Sequence, residues 1–195
     1  MVATPTRRTF ALLGAGLFAF VLWRLLRTPF PEDTTPEGAY LRIGLSLARD
    51  DLKGCFPYLE RDAQWASYTI RDARRDASLL IAEYYPDTER TSLLAEYKPF
   101  GDLADGSDVF AKVARTRGWA ERLRKDLSGV QRTEIDGERA TVVTTRGTRY
   151  PFRRRENGIW GLTIFTAELI AESERAARDL ELVKRAASDY ARSPK

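Results

Sequence analysis

Arginines carry the most suggestive chemistry in this chain. Arg149, Arg153 and Arg155 fall at alternate positions, opposite Tyr150, Phe152 and Arg154, so in an extended strand they share one face, with Arg139 projecting nearby from the preceding strand. Such a basic ribbon grips phosphates, anionic lipid or an acidic protein partner, because each guanidinium offers a planar fork of donors to an oxyanion. The competing account is a solvent face on which these arginines pair with neighbouring carboxylates.

Aromatic residues form the second candidate. Trp65, Tyr68, Tyr84, Trp119, Tyr150, Phe152 and Trp160 have the character of a ligand pocket, apolar with a few polar tips. As members of a hydrophobic core they need no further explanation.

Several chemistries are excluded. The chain has no histidine, so imidazole serves neither as general base nor as metal ligand. Cys55 is alone, which rules out an intramolecular disulfide. Leu52-Lys53-Gly54-Cys55 superficially matches a bacterial lipidation box, but a polar linker and an amphipathic stretch separate it from any apolar signal segment. There is no glycine-rich phosphate loop, serine elbow, CxxC pair or carboxylate cluster with metal spacing, so no cofactor or metal is expected and a non-enzyme is favoured.

These residues sit behind an apolar N-terminal segment. Thr9 to Trp23 carries no charge and follows Arg7-Arg8; as a helix it would cover about 22 Å of a roughly 30 Å hydrocarbon core. With Arg24 snorkelling, Leu25 and Leu26 extend the span to about 27 Å, and Trp23 falls at the interface. Thr6 to Leu12 resembles a twin-arginine export signal, but no small-residue cleavage site follows, so residues 1–27 read as an uncleaved anchor. The charge balance around it leans towards an inner-membrane single pass with a periplasmic domain. A buried core helix is the bland alternative, although Phe10 to Leu22 offers no polar stripe to water.

Residues 28–36, with three prolines, read as an extended linker, and residues 37–195 as one domain. The 195-residue chain is 43% hydrophobic and 31% charged, a globular balance. Its net charge of +4 comes half from the first 36 residues, so the domain is too weakly basic to argue for nucleic acid.

Tyr40, Ile43, Leu47 and Leu52 predict a first helix begun by Thr35-Pro36 and ended by Gly54. Trp65, Thr69, Ala73, Ala77, Leu80 and Tyr84 predict a second, stopped by Pro86, with Arg71, Asp72, Arg74, Arg75 and Asp76 on its wet face. After a loop at Pro99 to Gly101, Val109 to Leu127 continue helical spacing, interrupted at Gly118. Four β-rich runs follow, Val130 to Ile135, Arg139 to Thr145, Thr148 to Arg155 and Ile159 to Phe165, joined by Asp136-Gly137, Arg146-Gly147 and Asn157-Gly158. Leu169, Ala176, Leu180, Val183, Ala187 and Tyr190 mark a C-terminal helix from about residue 166. The fold expected is α+β: helices packed on a four-stranded antiparallel meander, with a C-terminal helix added.

The opening Thr35-Pro36-Glu37-Gly38-Ala39-Tyr40, the Asp51-Leu52-Lys53 step and the helices-then-meander order resemble nuclear transport factor 2-like, cone-shaped α+β domains over roughly residues 36–165. The C-terminal helix departs from the minimal pattern, and either closes the mouth of the cone or faces a partner. The resemblance implies a homodimer through an open sheet face in some members, and isomerase-, cyclase- or dehydratase-like enzymes in others. An isomerase-like site would need a carboxylate base and phenol donors around an apolar cavity, for which Tyr68, Tyr84, Tyr85, Asp72 and Asp76 supply the types. Asp72 and Asp76 lie among arginines, however, and pairing spoils a carboxylate as a base near neutrality.

The chain therefore reads as a non-enzymatic, membrane-anchored accessory module binding an envelope protein partner. The rival is a small-molecule binder or isomerase-like domain using the cone interior. An enclosed apolar cavity of several hundred Å³ distinguishes the second from the first.

Overall fold

The computed structural model describes residues 31–192, and one compact unit begins at Glu32. The expected membrane anchor lies outside the described residues, among which no helix is long and apolar enough to cross a membrane. The architecture is α+β: six α-helices, one 3-10 helix and a four-stranded antiparallel sheet among the described residues.

Helix α1, Pro36–Ala48, starts as its residues dictate. Thr35 accepts a hydrogen bond from the Gly38 amide at 3.1 Å, Pro36 occupies the first turn, and Glu37 faces the positive end of the dipole. Residues 32–35, expected to belong to the linker, fold back over this turn, and a Cβ on Gly38 would lie 1.8 Å from the Glu32 carbonyl oxygen. The helix ends at Ala48, earlier than expected. The Arg124 guanidinium caps it by donating to the Leu47 carbonyl at 3.2 Å while pairing with Asp50. The 3-10 helix Lys53–Tyr58 follows.

Helix α2, Arg61–Tyr84, buries a face different from the one the large residues suggest. Ala63, Ala66, Ile70, Ala73, Ala77 and Ile81 point inward, whereas Trp65 is 61% exposed and Thr69 and Tyr84 are also exposed. Small side chains let neighbouring helices approach closely, so the alanines are the packing face. Arg74 departs from the wet-face expectation too. It is buried, pairs with Asp179 at 2.8 Å and lies over the Tyr97 ring at 4.7 Å.

Helix α3, Asp87–Gly101, occupies a stretch in which no helix was expected, and absorbs Pro99 in its last turn. Helices α4, Gly106–Thr116, and α5, Trp119–Asp126, are separated at Gly118 as the spacing predicts.

Strands β1, Val130–Asp136, β2, Arg139–Thr144, β3, Arg149–Arg154, and β4, Trp160–Leu162, form a meander in sequence order, turned at Gly137, Gly147 and Gly158. A bulge at Gln131 shifts the β1 register. Ala140, Val142, Tyr150, Phe152 and Leu162 line the inner face, against which α1 packs. The β4 edge is covered by a parallel bridge from Leu59 to Leu162, while β1 is the open edge.

Helix α6, Thr166–Arg192, runs parallel to α2: Thr166 meets Glu60, Asp179 meets Arg74 and Val183 meets Tyr85. Its buried stripe joins α2 and α3 in a second core of Ala73, Ala77, Ile81, Tyr85, Tyr97, Leu180 and Val183. The main core lies between the sheet and α1, α4 and α5, where Trp119 and Phe165 stack at 4.4 Å.

Candidate functional site

Among the described residues the main core is filled. Between Ile43, Leu47, Cys55, Phe110, Trp119 and Phe165 the remaining gap is about 10 Å³, and its walls are apolar. A space of that size holds at most one water molecule. Trp119, Tyr150 and Trp160 are buried in this core, with 2%, 4% and 4% of their surface exposed. Tyr150 packs against Tyr40 with ring centres 5.2 Å apart, and burial pushes its phenol up to about 12.

The residues suited to isomerase-like chemistry do not converge. Asp72 is exposed and accepts two bonds from Arg71, at 2.9 and 2.7 Å. Asp76 and Tyr84 are exposed, and Tyr85 donates to the Val183 carbonyl inside the second core. Cys55 is 2% exposed, and burial pushes its thiol up to about 12, which keeps it protonated and unreactive at neutral pH. Among the described residues no group of three metal-ligating side chains gathers.

The arginines singled out in the sequence lie on two surfaces. The first is the outer face of the sheet. Arg139 and Arg153 stand directly opposite each other in register, and Arg149 opposite Val143. Arg149 and Arg132 both bond Glu134, and their hydrogen bonds hold its carboxyl below the usual range. Arg153 reaches the nearly buried Glu60 at 2.8 Å, and Thr166 donates to the other oxygen of that carboxylate at 2.7 Å. Arg139 has no ion-pair partner among the described residues. A hollow of about 430 Å³ lies here between Glu60, Arg139, Thr141, Arg153, Thr163 and Thr166.

The second surface is a groove of about 300 Å³ at the start of α2, lined by Arg61, Gln64, Trp65, Tyr68, Arg155 and Glu156. The expected ribbon is thus divided: Arg139 and Arg153 line the hollow, Arg149 is tied to Glu134, and Arg155 lies beyond the end of β3 in the groove. Trp65 and Tyr68, grouped in the sequence with the pocket aromatics, line this groove instead of the interior. Arg61 pairs with Glu156, Gln64 donates to the Phe56 carbonyl at 2.7 Å, and Arg155 donates to the Pro57 carbonyl at 2.6 Å. Burial and the nearby Arg61 charge lower the Arg155 pKa, although a guanidinium stays charged. Arg61 and Gln64 carry no sequence signal of their own. They enter the groove because they sit one turn or less from Trp65 on the exposed side of α2.

Comparisons with protein-family models, curated proteins and solved structures find no match to this chain.

Proposed function

We propose that the chain is a non-enzymatic, membrane-anchored accessory module of a bacterial envelope that binds a protein partner on the outer face of its sheet. The observation that carries this reading is a filled interior beside an outer sheet face bearing Arg139 without an ion-pair partner among the described residues. A domain acting on a small molecule needs enclosed space and convergent polar groups; a docking module needs a shaped, charged exterior. The cone-shaped α+β resemblance belongs to the same reading, supported by a meander whose inner face is covered by helices.

Two measurements test it. Membrane fractionation with protease digestion from the periplasmic side is expected to leave the chain in the membrane with its domain cleavable; protection of the domain would overturn the periplasmic assignment. A photo-crosslinker at Thr141, beside Arg139, is expected to give a discrete adduct in intact cells that disappears with Arg139→Glu. An adduct insensitive to that reversal, or none, would remove the outer face as the docking site.

A further inference from the structure

We propose that the groove of Arg61, Trp65, Tyr68 and Arg155 rests on the bilayer surface and takes phospholipid headgroups, phosphate against guanidinium and indole at the interface. This rests on the anchored reading above and adds a second membrane contact to it.

Trp65 is the exposed indole of the described residues, 61% open where Trp119 and Trp160 are 2% and 4%. An exposed tryptophan flanked by tyrosine and arginines is the set of side chains that favours a lipid–water interface, where the ring replaces water among glycerol groups while cations meet phosphate. Of the two groove arginines, Arg61 is neutralised by Glu156, whereas Arg155 meets a backbone carbonyl and keeps its charge. The site thus carries one uncompensated cation beside two aromatic rings.

The path of the chain brings residues 33 and 34 near this groove. The Trp160 indole donates to the Thr34 carbonyl at 3.0 Å, and Tyr58 bonds Asp33 at 3.4 Å. Tyr58 directly follows Phe56 and Pro57, whose carbonyls are the anchoring points of Gln64 and Arg155. The 3-10 helix therefore touches groove residues through the Phe56 and Pro57 carbonyls and Asp33 through Tyr58. Only Thr28, Pro29, Phe30 and Pro31 separate Arg27 from Glu32, and a stretch of that length extends at most about 17 Å. On the anchored reading, groove and bilayer are joined through one chain, and a contact made this way gains from high effective concentration, so weak individual interactions suffice.

The test uses the full-length protein in phosphatidylcholine/phosphatidylglycerol vesicles whose acyl chains carry bromine either near the headgroup or near the bilayer centre. Difference emission between the wild type and Trp65→Phe isolates Trp65, and Trp23→Phe isolates the anchor. The result expected is a blue-shifted Trp65 component dimmed by shallow bromine more than by deep bromine, and restored towards its unquenched level by Arg155→Gln. Trp65→Phe alters an exposed ring, so unchanged near-ultraviolet dichroism from Trp119 and Trp160 verifies the fold. Dimming of Trp23 without dimming of Trp65 would overturn the groove assignment while leaving the anchor intact, and would hand the groove to a protein partner. No dimming of either would overturn the anchored reading and this proposal together.

Discussion

Glu60 and Arg153 join at 2.8 Å across the junction of α2 with β3, and the same carboxylate takes the Thr166 hydroxyl at the head of α6. Three elements are thereby registered by one side chain that is 6% exposed. Because Arg153 is partly open to solvent, the pair is worth less than a fully enclosed one, but its carboxylate still depends on charge-assisted bonds. Glu60→Ala is expected to lower unfolding free energy by about 2–3 kcal/mol and Arg153→Ala by about 1–2 kcal/mol. A double-mutant cycle in urea should show coupling above about 0.5 kcal/mol; additive effects would mean that the two do not support each other.

Asp105 caps α4, accepting from the Ser107 amide and hydroxyl at 2.7 Å each and from the Asp108 amide at 3.2 Å. The Ser107 hydroxyl bond is the largest influence holding its carboxyl below the usual range. A depressed folded-state value contributes stability above the unfolded carboxylate pKa and loses it as pH falls through the folded value. Asp105→Asn, which retains the cap without the charge, should flatten the stability profile below about pH 4, where unfolded carboxylates take up protons. Asp105→Ala should cost about 1 kcal/mol at neutral pH. Thermal melts across an acid series check both, and an unchanged acid slope for Asp105→Asn would count against the charge effect.

Cys55 and Tyr150 behave in the opposite sense. Burial pushes both up to about 12, and Tyr40 is raised for the same reason. Their contribution is complete below the unfolded values and is lost as pH rises towards the folded ones, so alkaline unfolding should begin near pH 9. The Tyr150 hydroxyl has no hydrogen-bond partner among the described residues. Tyr150→Phe should therefore be nearly neutral at pH 7 and more stable than wild type above pH 10, whereas Tyr40→Phe loses the 2.9 Å bond to the Ser128 carbonyl and should cost about 1 kcal/mol. Equal losses for both at pH 7 would contradict this.

A Cβ at Gly161 would lie 2.7 Å from the Glu60 backbone nitrogen and Cα and from the Leu59 carbonyl oxygen. Gly161→Ala must push residues 59–60 off β4, and the expected loss is about 2–4 kcal/mol, in the range of overpacking with backbone displacement. Faster hydrogen exchange at the Glu60 amide, which bonds the Leu162 carbonyl at 3.1 Å, would locate the damage. Exchange unchanged there would place the strain elsewhere.

The meander could be read in advance because alternating Val142, Tyr150 and Phe152 against arginines and threonines leaves one register, and glycine turns fix the strand order. The C-terminal helix was equally plain from its single apolar stripe. Helix α3 carries little sequence signal because only Tyr97 and Gly101 are buried in it, Pro99 reads as a break, and Pro86 both stops α2 and starts the next helix. Along α2, ring size pointed to Trp65 while the packing face was made of alanine, whose hydrophobic signal is weak. The groove is hidden for the same reason, since ring size alone does not tell a core tryptophan from a surface one. Arg74 was unreadable for a different reason: its partners Tyr97 and Asp179 are distant in sequence.

Helix α2 belongs to both hydrophobic cores, its first half to one and its second half to the other. A helix of 24 residues measures about 36 Å, so Trp65 near one end and the solvent-facing Leu79 near the other are held at a set spacing by a rod clamped along its length. Fourteen residues of rise keep these two exposed side chains about 21 Å apart along the axis, a separation set by the rod itself and independent of any loop.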